Sequence, residues 1–467
     1  MVNTWDNSDA DGVYSNGNNW STGNKPVAAE ATSIPDTSAI GACNLDEGTA
    51  SLGDFIIYTS GEFNATSYDV ICRILNTGAA MLYAQTTGDF TATLPSNSSN
   101  YGVLGNATAV INMGSGNWLV CAIRLDNATG VLTSGVLEIF GHFANANPIS
   151  ININAGVNAN GGTIKFTGNS AVQGITVWPT NQANVVIDKG AGVVQAYLAA
   201  RHINCTNLTV TAGTYAAYRY DGGAATNITV TGTLDISGTV DAANAATGTP
   251  AVVLNILNVR AGGTYIMTPG TTFIDDTSFL SGTLQFKNGS ILRGTTGGEN
   301  IAMNSSPDWD YGGAGSIVGL YGIVIVANTD LTTGGAGVRI NLTSVNFSSP
   351  ITDRILTISE GDTLHISENS TTNLHVDVDV NGTLSTTSGK TFTCANIDVF
   401  GIGKIVTPGI SYINQNLGFD YYTTTFRKGT RMASPIRIKN SVIRGDYYVG
   451  DVDTLEGCDI GMGGYSY

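Results

Sequence analysis

Charge is scarce in this chain. Only 12% of its 467 residues are Asp, Glu, Lys or Arg, against about 25% in ordinary soluble domains, which argues against an enzyme with a heavily charged surface. Basic residues are the scarcer sign, 20 Lys and Arg against 36 Asp and Glu, for a net charge of −16. Residues 1–150 hold three basic residues, Lys25, Arg73 and Arg124, against thirteen acidic ones. Such a surface repels phosphates and anionic lipid, so nucleic acid is not expected as a partner. Histidine is limited to four residues (His142, His202, His365, His375) with no H-E-x-x-H or i, i+4 pair, which excludes the common zinc-hydrolase pattern. G-x-S-x-G and G-x-x-x-x-G-K-[ST] are absent as well, so acyl-transfer and nucleotide chemistry lack their elements. No run approaches the roughly 18 apolar residues of a membrane helix, and membrane insertion is not expected.

The six cysteines (Cys43, Cys72, Cys121, Cys205, Cys394, Cys458) form no C-x-x-C. They read as buried free thiols, with Cys43 and Cys72 able to pair across neighbouring rungs in a secreted chain. The start, Met1 to Asp6, has neither a basic segment nor an apolar run. Either a leader has been removed, or the chain is made in the cytosol and reaches its site by assembly, as a virion protein does.

What is present is Gly, Asn, Thr and Ser around short β-branched segments. There are 59 glycines and 42% hydrophobic residues, enough for a core and against disorder. Segments such as 52–58, 68–75, 109–113, 117–125 and 135–140 are short, alternating and bounded by turn residues. Val193 to Arg201 is the stretch where a turn or two of helix is expected. From Asn207 to Leu292, strand, Gly/Thr corner and strand repeat, with Gly213, Gly232, Gly263 and Gly282 at intervals of 19, 31 and 19 residues. The long interval reads as one repeat carrying an inserted loop, Asp241 to Pro250. Gly361, Gly382 and Gly403 then fall 21 apart twice.

A period near 20 with two or three strands per period marks a solenoid. The expected fold is all-β: a single-stranded parallel β-helix with rungs of about 20 residues. Its parts are an N-terminal capping module at 1–30, an array at 31–420, and last rungs with a docking segment at 421–467. About 20 rungs at about 4.8 Å would form a rod on the order of 100 Å long.

The opening W-D…N-N-W-S-T-G-N-K-P, followed by the corner-glycine repeats, resembles the entry module and array of bacterial surface and phage β-helix proteins. The N-G-T-L and K-N-S-V-I-R-G rungs look like the pectin-lyase-like right-handed parallel β-helix of phage tailspikes and polysaccharide lyases. The resemblance covers most of the chain, and its motifs are architectural. It implies the fold, and two activities by analogy. A tailspike glycosidase needs two carboxylates about 5–5.5 Å or 6.5–9.5 Å apart; a lyase needs a carboxylate cluster for calcium and a basic residue. Neither set has a full copy here.

Asp308 and Asp310, in P-D-W-D-Y, make the best carboxylate pair. Set in a loop insertion beside Trp309, they would form an acid/base and sugar-stacking patch; otherwise Trp309 anchors the loop and both carboxylates are solvated. Asp275 with Asp276, and Asp377 with Asp379, are weaker pairs. Asn7, Asp9, Asp11 and Gly12 match the core of a calcium loop, but Asn18 stands where its bidentate Glu belongs. Calcium there is one reading and an Asx-turn cluster the other. Tyr215, Tyr218 and Tyr220 would be a glycan-contact surface or a stacked ladder. Arg427, Lys428, Arg431, Arg437, Lys439 and Arg444 form the densest basic run. They would dock on the acidic N-terminal third of a neighbouring subunit or pair across rungs within the chain.

These features lead to a non-enzymatic structural virion protein, a fibre, spike or decoration subunit, homo-oligomeric and bound to itself or to other virion proteins. The alternatives are a secreted or cell-surface adhesin that meets a host glycan, and a polysaccharide lyase or glycosidase.

Overall fold

The structure is a computed structural model. It describes residues 2–394 apart from short internal segments (80, 96, 99–100, 107, 126–128, 133, 144–148, 154–156, 159–160, 169–171, 176–181, 197–201, 220–223, 244, 246, 304–307, 312–313, 335–336, 351–353, 373–375 and 388–389); beyond 394 it describes strand backbone. The chain is all-β, and parallel strands stacked rung on rung form a β-solenoid. The described helix is one 3₁₀ turn, Gly17–Asn19. Contacts divide the chain into two units, Met1–Gly232 and Thr249–Tyr467, with short exchanges between them over 233–248.

In the first unit, rungs up to Asn158 lay strands on three faces. One face stacks Cys43–Asn44, Glu62–Thr66, Leu82–Gln85, Val110–Gly114 and Thr129–Leu132. On the next face, Val70, Phe90, Trp118, Leu137, Ile164, Val185 and Leu208 pair in register. All seven are buried, so one inward position repeated on successive rungs becomes a continuous apolar ladder. The alternating pattern of each strand turns its intervening residues outward. At the start, Asn3 and Thr4 pair with Thr32 and Ser33. Trp5, Tyr14, Trp20 and Phe63 pack edge to face over the first rungs, with centroids 5.1–6.4 Å apart. Both indoles reach backbone carbonyls, Trp5 that of Gly41 and Trp20 that of Tyr14.

The second unit repeats the arrangement. Its first face, beginning with Thr271–Ile274, carries the buried ladder Leu292, Leu320, Leu342 and Ile366. A second face begins with Ser278–Leu280. A seven-stranded sheet from Leu331–Thr332 to Val452–Glu456 forms another.

Rung length varies with the loops between faces: Thr425 pairs with Val442, 17 residues on, and Phe90 with Trp118, 28 residues on. That variation corrects two sequence expectations. The corner glycine stacked on Gly213 is Gly238, not Gly232: a Cβ at Gly238 would meet the Gly213 carbonyl, whereas Gly232 lies against Thr206 and Asn207 at a different corner. Val193 to Ala196 is strand rather than helix, because Val172–Ile175 on one side and Thr214 and Tyr215 on the other hold it in register.

Gly282 shows what a corner demands. A Cβ there would overlap the carbonyl oxygens of Arg260 and Gly263 on the preceding rung. Glycine is required for close backbone approach, not for a left-handed φ.

Candidate functional site

Asp308 and Asp310 lie on a strand, Asp308–Asp310, and not in a loop insertion. Pairing with Thr283–Gln285 sets that strand, placing Asp308 beside Thr283, Trp309 beside Leu284 and Asp310 beside Gln285. Asp310 Oδ2 accepts a 2.6 Å hydrogen bond from the Gln285 amide. Trp309 faces the other way: it stacks on Phe286 at 5.7 Å and tilts against Tyr311 at 5.6 Å. Beside these rings is a small cavity of about 20 Å³, lined by Trp309, Tyr311, Leu320, Ile340, Phe347 and Leu364 among others. The aromatic residue expected to offer a sugar platform is half-buried and packs against Phe286 and Tyr311.

The N-terminal Asn/Asp cluster is a closed hydrogen-bond network. Asn7 Oδ1 accepts from the Gly12 amide at 2.9 Å, and its side-chain amide donates to the Ile40 carbonyl. Asp9 Oδ2 accepts from Asn16 and Asn18 at 2.8 and 3.0 Å. Asp11 accepts from Asn16, Asn19 and the Val13 amide, which hold its carboxyl below the usual carboxylate range, the Val13 bond contributing most. A calcium ion at Asn7, Asp9 and Asp11 would take oxygens that these amides now occupy. Among the described residues no group of three or more His, Cys, Asp or Glu is placed to hold a metal ion.

Within the basic run, Arg427, Lys428 and Arg444 lie outside the described residues. Arg431 pairs in backbone register with Tyr412 and Tyr448. Arg437 stands beside Asp420 and Thr454, and Lys439 beside Tyr422 and Glu456. Cations and acids of neighbouring rungs therefore share ladder positions within the chain.

The tyrosine cluster is split. Tyr215 is fully buried, Tyr218 is half-buried, and Tyr220 lies outside the described residues. His365 sits on the outer side of its strand, within hydrogen-bond reach of Ser385 Oγ (2.9 Å) and Thr387 Oγ1 (3.2 Å), and burial depresses its pKa, with Arg339 adding to the effect. Cys43, Cys72, Cys121 and Cys205 are buried and in no disulfide. Cys43 lies beside Phe63 and Cys72 beside Ala92, on different faces. Burial pushes the Cys205 thiol up to about 12.

Three features escaped the sequence. Lys189 is 3% exposed, its ammonium nitrogen has no hydrogen-bond partner, and burial lowers its pKa to about 8. Asp362 is fully buried at the corner preceding Thr363–Ile366. Arg293 lies over the outward Phe273 ring, 6.0 Å from its centroid. Inward-facing Lys and Asp are invisible without register, although the change from N-G-T-L to G-D-T-L at Asp362 marks a different corner.

Comparison with known proteins gives one informative match. The chain is 26% identical over 448 residues to Outer membrane protein A of Rickettsia rickettsii. It is similar to a bacterial surface protein. The match covers 90% of this chain and 19% of that protein, so the chain spans about a fifth of the relative's length. No family model matches, and no solved structure matches.

Proposed function

We propose that this chain is a β-solenoid segment of a cell-surface protein, with the outward sides of its strands serving as an adhesive display surface. The observation that carries this reading is the similarity to Outer membrane protein A, which runs along 90% of the chain instead of being confined to one motif. The fold suits the role. Stacked rungs bury their inward ladders against each other and leave the outward positions of every strand free to vary without disturbing the core. The same match favours the cell surface over a virion.

The test is antibody labelling of intact source cells, with and without external protease. Labelling that protease removes supports surface display. A chain detected only after lysis, or only in purified phage particles, overturns it. Adhesion is read separately, as binding of the purified chain to host-type cells or glycan-coated surfaces.

A further inference from the structure

The second unit separates its charges by face. On its first face, the strands Ile291–Gly294, Ile317–Tyr321, Arg339–Thr343, Thr363–Ile366, Thr383–Thr386 and Lys404–Val406 carry Arg293, Arg339 and Lys404 and contain no Asp or Glu. In a chain with 36 acidic residues to 20 basic ones this is a reversal of the overall balance. Arg293 and Arg339 are exposed. Arg339, Thr363, Thr383 and Lys404 occupy successive positions of one ladder, and Phe273, Arg293 and Tyr321 of another.

Three adjacent strands of the seven-stranded sheet are the opposite. Strands Val376–Val380, Ile397–Val399 and Phe419–Tyr422 carry Asp377, Asp379, Asp398 and Asp420 and no Lys or Arg. Asp379, Asp398 and Asp420 are directly in register, at a rung spacing of about 4.8 Å. Asp377 and Asp379 alternate with the buried Val376, Val378 and Val380, which places them on the outer side. Arg354, on the preceding strand, is 3.5 Å from Asp330, and Arg437 follows Asp420, so the acidic stretch is bounded by cations at both ends.

We infer that the basic face of one copy docks laterally on the acidic face of a second copy. Acidic residues at successive positions of one ladder concentrate like charge, and guanidinium groups from a neighbour offset it. The two patches lie on different faces, so the contact is heterologous. Each docked copy leaves one patch of each kind open, and association can continue from copy to copy. This goes beyond surface display by naming the partner as the chain itself.

Sedimentation velocity and light scattering on the full chain across micromolar concentrations test the inference. Wild type is expected to associate with rising concentration. Arg293→Glu with Arg339→Glu makes the first face net acidic, two Glu against Lys404, and Asp377→Lys with Asp379→Lys sets two Lys against Asp398 and Asp420 and removes the net negative charge of the other face; each alone is expected to stay monomeric. Mixed in equal amounts the two should associate again, because the unaltered basic face of the second variant can dock on the unaltered acidic face of the first. Wild type that stays monomeric, variants that still associate alone, or a mixture that does not recover would each overturn the inference. Where a reversed chain does not fold, Arg339→Gln and Asp379→Asn replace it; each should weaken association, and no change in either overturns docking. Heparin probes the competing occupant. Heparin bound by a monomeric wild type, and lost with the Arg293→Glu and Arg339→Glu pair, would overturn self-docking in favour of a polyanion site.

Discussion

The hydroxyl of Thr333 donates a 2.7 Å hydrogen bond to Asp362, a carboxylate fully buried within the second unit. Two backbone amides of the same rung, Gly337 and Val338, donate to its other oxygen at 2.7 and 3.0 Å. The side chain thus ties the corner before Thr363–Ile366 to the loop of the rung beneath. Asp362→Ala strands three donors, two of them buried (the Thr333 hydroxyl and the Val338 amide), and is expected to cost on the order of 3 kcal/mol. Asp362→Asn keeps one acceptor and should cost less. Thermal unfolding of the two variants beside wild type checks the order.

Corner glycines give a second expectation. Gly282 lies over the Arg260 and Gly263 carbonyls with no room for a methyl group. Gly282→Ala must push two rungs apart, at a cost of about 1–3 kcal/mol. Gly262, whose φ is +83° and whose Cβ direction is open, tests the other requirement: Gly262→Ala should cost less and through backbone strain alone. Equal losses at the two positions would refute the close-approach account.

The architecture was legible in the sequence because solenoid physics repeats: inward Val, Ile and Leu alternate with Thr and Asn, and corners select Gly. Register was not legible. Gly213 and Gly232 look like successive corners, yet Gly238 is the residue that stacks on Gly213, since loops of unequal length separate the faces. The same gap misled the reading of Asp308 and Asp310 as part of a loop insertion, while pairing with Thr283 and Gln285 makes a strand. It also hid the charge separation of the second unit, because Arg293, Arg339 and Lys404 are far apart in sequence and gather only by stacking.

Glu299 carries a pH dependence. Burial works against its charge, but hydrogen bonds from the Thr296 hydroxyl and amide and the Gly297 amide outweigh it and hold its pKa below the usual value. A carboxylate depressed on folding stabilises the native state above its unfolded pKa, and that stability is lost as pH falls through the folded value. Glu299→Gln should therefore lower the melting temperature at pH 7 and have little effect in strong acid. A loss that is the same at both pH values would contradict this.

Lys189 should behave in the opposite sense. Its ammonium nitrogen is buried without a partner, and burial brings its pKa down to about 8 from about 10.4 in an unfolded chain. Between those values the unfolded state binds more protons, so stability rises with pH across that window. Below about pH 8 the native state carries a buried charge, and the penalty is at its full value. Lys189→Met keeps the length of the stem and removes the charge. It should stabilise the first unit at pH 7 by on the order of 2 kcal/mol after allowance for solvent screening. The gain should shrink steadily as pH rises past 8 and vanish near 10.5. Melting curves of wild type and variant from pH 6 to pH 10.5 decide the matter: a constant difference would mean that packing, not charge, governs the site, and a loss on substitution would mean that the amine has a partner in solution.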